Sequence, residues 1–185
     1  MFRVKTIAEA HEFLGLEKPG HPLISIYKHD NLEQNKEFVG VPFALDLYQI
    51  VFKMCSPGSV GYGRNSYDFQ EGSMIFVQPG QVITMGKWKE KDAIGGWTLL
   101  FHPDLIRKSE LGKKINKYSF FSYDVHEALH LSDDEKVTLL EITEKIKKEY
   151  TQNIDKHSHS LIITNIELLL NYCTRYYNRQ FYTRT

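Results

Sequence analysis

The sequence has little cysteine and no long apolar run. Its two cysteines, Cys55 and Cys173, lie far apart and offer neither a disulfide framework nor a zinc-binding spacing, which suits a reducing compartment. No apolar run reaches the length of a membrane span. The N-terminal segment is charged throughout and has no apolar core typical of a signal peptide. We therefore expect a cytoplasmic protein without a membrane segment.

The sequence also lacks an excess of charge of either sign. Lys+Arg and Asp+Glu are both 23, so the formal net charge is zero. A domain that binds nucleic acid by itself is normally basic, because it must neutralise phosphates. Arg175, Arg179 and Arg184 lie among aromatic residues near the C-terminus, but cations at a helix end explain them more simply. We expect no nucleic-acid binding by this domain alone.

Catalytic motifs are missing as well. There is no Gly-x-Ser-x-Gly and no Walker loop, and GYG at 61–63 lacks the strand-to-helix context of a nucleotide site. His157 and His159 form a His-x-His without a neighbouring carboxylate or cysteine cluster, which is more typical of a solvated loop. His21 and His102 each precede a proline and are more typical of structural hydrogen bonding. We predict no catalytic residue, no metal and no cofactor.

The first half of the chain has the pattern of a β-rich domain. A helix is predicted over residues 6–15, and short strands are predicted at 23–27, 73–77 and 97–101, separated by turn residues. In the run 41–54 the apolar alternation changes phase, which predicts a bulge or a strand buried on both faces. This spacing of short strands favours a β-sandwich or small barrel.

The second half has the pattern of helices. Ser132 and Glu135 form a capping box before one long helix, and a second runs from about 160 to about 178. We therefore predict an α+β protein with a β-domain over 1–110 and a helical region over 111–180. The second helix has a seam that looks too broad to bury within one small domain, which predicts a homodimer. The predicted interface residues are Ile162, Ile166, Leu169, Cys173 and Tyr176.

The order of these elements and several local strings resemble the AraC family of bacterial transcription regulators. The resemblance covers nearly the whole chain and depends on the joint order and spacing of the strings. They are PGHPLISI, DLYQIVF, EGSMIFVQPGQV, GWTLLFHPDLI, FFSYDVHEALHLSDDE and LLLNYCTRYYNRQF.

The resemblance implies a cupin-like β-sandwich or small barrel that binds a small-molecule effector, followed by an antiparallel helical pair that dimerises. In this family a DNA-binding domain with two helix-turn-helix units comes next. Residues 181–185 would then begin the linker to that domain, which is absent from this chain. The resemblance therefore implies a non-enzymatic sensor that affects DNA only through the missing domain.

The resemblance also indicates where a ligand would bind. Related sensors often carry metal-binding histidines at positions that are Phe43, Leu45 and Ile83 here, so we expect a metal-free and more apolar cavity. Such a cavity suits a ligand with one apolar face and a few hydroxyls. Arg64 and Gln49 are candidate polar anchors. The predicted lining residues are Phe43, Leu45, Tyr48, Phe52, Phe76, Ile83 and Trp97.

Two other functions remain open at this point. One is a stand-alone cupin enzyme, either an isomerase or a dioxygenase, against which the replaced histidines count. The other is a pure dimerisation module with a vestigial pocket. The identity of the effector does not follow from the sequence.

Overall fold

The computed structural model describes residues 1–32, 36–54, 72–86, 94–121, 127–152 and 154–182. The fold is α+β, with two mostly antiparallel sheets followed by two long helices. The strands are β1 (Phe2–Val4), β2 (Ile24–Lys28), β3 (Pro42–Leu45), β4 (Tyr48–Lys53), β5 (Ser73–Val77), β6 (Val82–Thr84), β7 (Trp97–Phe101) and β8 (Leu129–His130). The helices are α1 (Ile7–Leu14), α2 (Pro103–Ile106), α3 (Glu110–Lys114), α4 (Asp133–Thr151) and α5 (Ser158–Tyr182).

The strands form one larger and one smaller sheet. The five-stranded sheet has the order β2-β7-β4-β5-β8, and all of its pairs are antiparallel. The three-stranded sheet has the order β1-β3-β6, in which β1 runs parallel to β3. The strands predicted at 73–77 and 97–101 are confirmed, and the strand predicted at 23–27 is displaced by one residue.

The phase change in the run 41–54 has a different cause from the one that the sequence indicated. The run is not one bulged or doubly buried strand, so that prediction is wrong. The chain leaves the three-stranded sheet at Leu45 and enters the five-stranded sheet at Tyr48. Asp46 holds the crossing in place, because its backbone N–H donates to the Val4 carbonyl and its carboxylate accepts from Arg3 Nε at 2.8 Å.

The predicted helix starts are confirmed. The Thr6 hydroxyl accepts from the Glu9 backbone N–H ahead of α1, and Gly15 ends that helix with a φ of 70°, which a glycine adopts without strain. Ser132 and Glu135 form the predicted capping box of α4, in which each side chain accepts from the other residue's backbone N–H. Both caps satisfy backbone donors that a helix start leaves unpaired.

The two long helices pack together and against the five-stranded sheet. They are antiparallel, since Glu135 at the start of α4 is bonded to Arg179 near the end of α5. α5 is longer than the predicted 160–178 by a turn at its C-terminal end. Although β8 lies beyond the predicted domain boundary at residue 110, it pairs with β5 in the larger sheet. No described helix is both long enough and apolar enough to cross a membrane.

The described residues form two hydrophobic clusters, one on each side of the five-stranded sheet. The larger cluster joins one side of that sheet to α4, α5 and the short helices between. The smaller cluster lies between the two sheets and includes residues of β1, α1, β3 and β7. Because side chains alternate along a strand, each strand of the larger sheet contributes to both sides.

A candidate ligand site between the two sheets

One side of the five-stranded sheet faces away from the helices and towards the three-stranded sheet. Tyr27 of β2 and Leu100 of β7 pack there with Phe43, Leu45 and Ile83 of the smaller sheet. Because side chains alternate along a strand, the register of the strands shows which other side chains of the five-stranded sheet lie on this side. We call the side chains on this side the inter-sheet face: Ser25, Tyr27, Gln49, Val51, Lys53, Ser73, Ile75, Val77, Thr98 and Leu100.

The structure separates the seven predicted lining residues into two groups. Phe43 and Ile83 are register partners on β3 and β6, and with Leu45 they belong to the cluster between the sheets. The remaining four lie in the other cluster, against the helices, and are Tyr48, Phe52, Phe76 and Trp97. The five-stranded sheet therefore stands between the two groups, and a single cavity cannot be lined by both of them.

The two sides of the larger sheet also differ in how tightly they are filled. On the helix side, Ile50, Met74 and Leu99 are each 0% exposed. On the other side of the sheet, the side chains of Tyr27, Gln49, Lys53 and Ile75 retain partial exposure, as does Ile83 across from them. The inter-sheet face therefore combines fully buried side chains, such as Leu100, with several partly exposed ones, and we take the space beside it as the candidate ligand site.

A buried polar network runs along the β2 side of this space. His11 on α1 has its Nδ1 2.6 Å from the carbonyl oxygen of Glu17 and its Nε2 2.7 Å from the hydroxyl of Ser25. A carbonyl only accepts, so His11 Nδ1 donates to Glu17, while Nε2 is hydrogen bonded to the Ser25 hydroxyl. The network ties α1 to β2.

The network continues through three neighbouring side chains. His29 Nε2 lies 2.6 Å from the Thr98 hydroxyl, and the rings of Tyr27 and His29 have centroids 6.1 Å apart. Burial lowers the pKa of His29 to about 4, helped by the positive charge of Lys53 and opposed by Asp30. Burial also raises the pKa of Tyr27 to about 12, and its hydrogen bond with Thr98 opposes this shift only in part. At neutral pH the rings of Tyr27 and His29 are both uncharged.

Gln49 is a polar side chain of the inter-sheet face whose bonding is incomplete within the described part of the chain. Its amide oxygen Oε1 is buried and has no hydrogen-bond partner among the residues that the structure describes. Its register neighbours are Leu100 on β7 and Val77 on β5, neither of which offers a side-chain donor. A buried acceptor without a donor is destabilising by roughly 1–3 kcal/mol, so a feature of this kind calls for an explanation.

The positions where the resemblance implies metal-binding histidines lie at this same place. Phe43, Leu45 and Ile83 carry no nitrogen, oxygen or sulfur donor and together form an apolar wall on the three-stranded sheet. Within the described ranges, no three His, Cys, Asp or Glu side chains come close enough together to hold a metal ion. The other predicted anchor, Arg64, lies outside the described residues.

The residues predicted for the dimer interface lie inside the chain. Ile162, Ile166, Leu169 and Cys173 are fully buried and Tyr176 is nearly so, all within the cluster that joins α5 to the sheet and to α4. The prediction that this seam is too broad to bury within one domain is wrong, because α4 and the sheet cover it together. In this arrangement, the large apolar side chains that remain exposed on the helical pair are Val137, Leu140, Ile154, Leu161, Leu168, Phe181 and Tyr182.

Sequence reasoning missed most of the polar network. His11 lies on a helix, and Ser25 and Thr98 lie on strands that read as apolar, so no motif joins them. One signal was available in the sequence. Tyr27 and His29 are two residues apart, and residues two apart on a strand share a face, so the sequence could have placed these two rings on the same side of the sheet. A scan against models of known protein families and a search of curated proteins both found no match to this chain.

Proposed function

We propose that the chain is the ligand-sensing and dimerisation part of an AraC-type bacterial transcription regulator, and that its effector binds in the inter-sheet space of a cupin-like sandwich. DNA binding would be controlled through a helix-turn-helix domain of the regulator. In this proposal the chain catalyses no reaction and acts in the cytoplasm.

The observation that carries the proposal is the contrast between the two sides of the five-stranded sheet. A well-buried helix side and an inter-sheet side that keeps partly exposed apolar and polar side chains fit a small-molecule pocket, in which placed polar atoms orient the ligand against an apolar lining. The apolar wall of Phe43, Leu45 and Ile83 supports binding over metal-assisted chemistry.

The strands offer a direct route from the proposed site to the helices. On β4, Gln49 and Val51 face the ligand side, while Ile50 between them packs in the cluster with α4 and α5. A ligand that changes the distance between the two sheets therefore acts on strands whose other side packs against the helices. This fits the requirement that an effector interact differently with two arrangements of the protein.

The end of α5 is attached to the same sheet by side chains. Gln180 accepts from the His130 backbone N–H and donates to the Ala128 carbonyl, while the Tyr177 hydroxyl donates to the Glu127 carbonyl. Arg179 donates to the His130 carbonyl at 2.7 Å. The last turns of α5 therefore follow β8, and a shift of the sheet would be passed to the point where a following domain would connect.

For the dimer, we propose an interface on the outer side of the helical pair. Leu161 and Leu168 are 43% and 40% exposed and are seven residues apart, so they share one face of α5. Isologous pairing of two such helices is the common outcome for a homodimer.

The proposal is tested by a thermal-shift screen of sugars and small aromatic compounds against three proteins. These are the parent, Ile83→Trp, which fills the inter-sheet space, and Val82→Trp as the matched control. Val82 is the residue before Ile83 on β6 and is 51% exposed, so the Val82→Trp substitution adds the same side chain on the outside of the protein. We expect compounds that stabilise the parent and Val82→Trp but not Ile83→Trp, because a ligand raises stability only where it binds the folded state.

Two results would contradict this function. Compounds that stabilise all three proteins equally would bind elsewhere. A melting temperature of Ile83→Trp far below that of Val82→Trp would show that the inter-sheet space is packed core.

A further inference from the structure

We propose that the ligand of the inter-sheet site presents an uncharged hydroxyl group that donates a hydrogen bond to Gln49 Oε1. This inference rests on the proposed function and adds the chemical class of the ligand and the residue that selects it. The juxtaposition behind it is a buried amide oxygen, without a partner among the described residues, on a sheet face that has several partly exposed side chains.

The surroundings of Gln49 explain why its oxygen needs a donor from outside the chain. Leu100 and Val77 flank it in the sheet, and Leu47, which is fully buried, belongs to the cluster on this side. The nearest hydroxyl in the same cross-strand row is on Ser25, beyond Leu100, and it is already hydrogen bonded to His11. Among the described residues, no protein donor serves this oxygen, so a ligand donor would be the first to satisfy it.

The same surroundings exclude a charged donor. An ammonium group beside Leu100 and Val77 would lose its hydration without gaining a counter-ion, which is strongly unfavourable. Along β4, the charged side chain of this face is Lys53, four residues and roughly 13 Å from Gln49, and its charge has the wrong sign to hold a cation.

A neutral hydroxyl satisfies Oε1 with a single group. An amide N–H would also donate to Oε1, but its carbonyl would then depend on the Nε2 group of Gln49 itself, because the apolar neighbours cannot donate to it. An ether or ketone oxygen only accepts hydrogen bonds, so a ligand that placed one beside Oε1 would leave two acceptors together without a donor. The site therefore selects a hydroxyl by penalising the groups that cannot donate.

The rest of the ligand would be apolar. Beyond Gln49 the inter-sheet face continues with Val51 and Ile75, which are register partners, and with Tyr27 across β7. Phe43 and Ile83 of the other sheet lie in the cluster that includes Tyr27 and Leu100. A phenol or an alcohol with a compact hydrocarbon body matches this lining.

The first test is the stability of the ligand-free protein. Gln49→Met has nearly the same size but removes the unpaired oxygen, so we expect its midpoint in urea to rise. Gln152→Met, at the end of α4, is the control for the same substitution on the surface and should leave the midpoint unchanged. A lower midpoint for Gln49→Met would mean that the oxygen already has a partner in the folded chain, and would overturn the proposal.

The second test uses a matched pair of probes, 4-ethylphenol and its methyl ether 4-ethylanisole. In the ether a methyl group replaces the hydroxyl proton, so it cannot donate a hydrogen bond. Calorimetric titration of the parent should show the phenol binding about tenfold more tightly, as one buried hydrogen bond implies. In Gln49→Met this preference should disappear while the anisole binds at least as well as before. Gln152→Met should keep the preference of the parent.

The outcomes separate this proposal from the proposed function. Equal binding of both probes to the parent, lost in Ile83→Trp, would overturn the hydroxyl donor and leave the inter-sheet site standing. A phenol preference that survives in Gln49→Met would also overturn it. If neither probe binds the parent, the proposed hydroxyl class is wrong, while compounds found by the thermal-shift screen would still support a ligand-sensing site.

Discussion

The imidazole of His29 and the hydroxyl of Thr98 are hydrogen bonded at 2.6 Å across neighbouring strands, and both side chains are buried. The contact lies at the edge of the inter-sheet space and keeps a neutral ring there, because burial and the charge of Lys53 oppose its protonation. It links the stability of the fold to pH.

The first prediction concerns that link. The pKa of His29 is about 4 in the folded chain, below its ordinary value of 6.5, so the unfolded chain takes up the proton more readily. The stability from the neutral ring is complete above pH 6.5 and is lost as the pH falls towards 4, by roughly 3 kcal/mol. Urea unfolding of the parent between pH 7.5 and 4 should show this decline.

The control is His29→Gln, which keeps a donor for Thr98 but does not titrate. Its stability should fall less steeply over the same range. Some decline should remain, because burial also lowers the pKa of His21 and His130. Identical slopes for the parent and His29→Gln would contradict the assignment.

The second prediction concerns the attachment of α5. Arg179 donates to both carboxylate oxygens of Glu135 and to the His130 carbonyl, and the pair is largely shielded from solvent. Arg179→Met should lower the free energy of unfolding by about 1–3 kcal/mol. Lys113→Met, which breaks an exposed pair with Glu110, should change it by less than about 1 kcal/mol. Equal losses in the two variants would show that the α5 contact has no special role.

The third prediction concerns the thiol of Cys173. Burial raises its pKa far above the usual range, and the side chain is fully enclosed within the larger cluster. In a Cys55→Ser background, an alkylating reagent should modify Cys173 only at the rate at which the chain unfolds, so urea should accelerate the reaction. Rapid modification under native conditions would place Cys173 on a surface. Cys55 itself lies outside the described residues.

The fourth prediction concerns the dimer. Leu161→Asp combined with Leu168→Asp should give a folded monomer, because both side chains are exposed on the outer face of α5. Ile166→Asp, in the fully buried seam, should unfold the chain, because it would place a charge in the core. Sedimentation and circular dichroism distinguish these results. A parent chain that is monomeric at tens of micromolar, roughly the range of a weak dimer, would contradict the dimer.

Much of the local structure follows from the sequence. The caps at Thr6 and Ser132 and the strands at 73–77 and 97–101 are determined by short-range chemistry, so they could be predicted. The break at Asp46 could not, because a change of apolar phase arises equally from a bulge and from a crossing between sheets.

The site was less predictable because sequence pattern gives alternation but not direction. Tyr48 and Gln49 lie on opposite sides of β4, and only the packing of α4 and α5 decides which side is core. The seam of α5 failed as an interface for a related reason. Its width was visible, but the partners that cover it come from α4 and the sheet, distant in sequence.

The central claim is that a ligand binds between the two sheets. The most direct measurement is a crystal structure of the chain with a compound that the thermal-shift screen identifies. We predict that the compound lies against Tyr27, Val51 and Ile83 with a hydroxyl at Gln49. A compound found instead on the helix side of the five-stranded sheet, between Phe52, Trp97 and α5, would contradict the account.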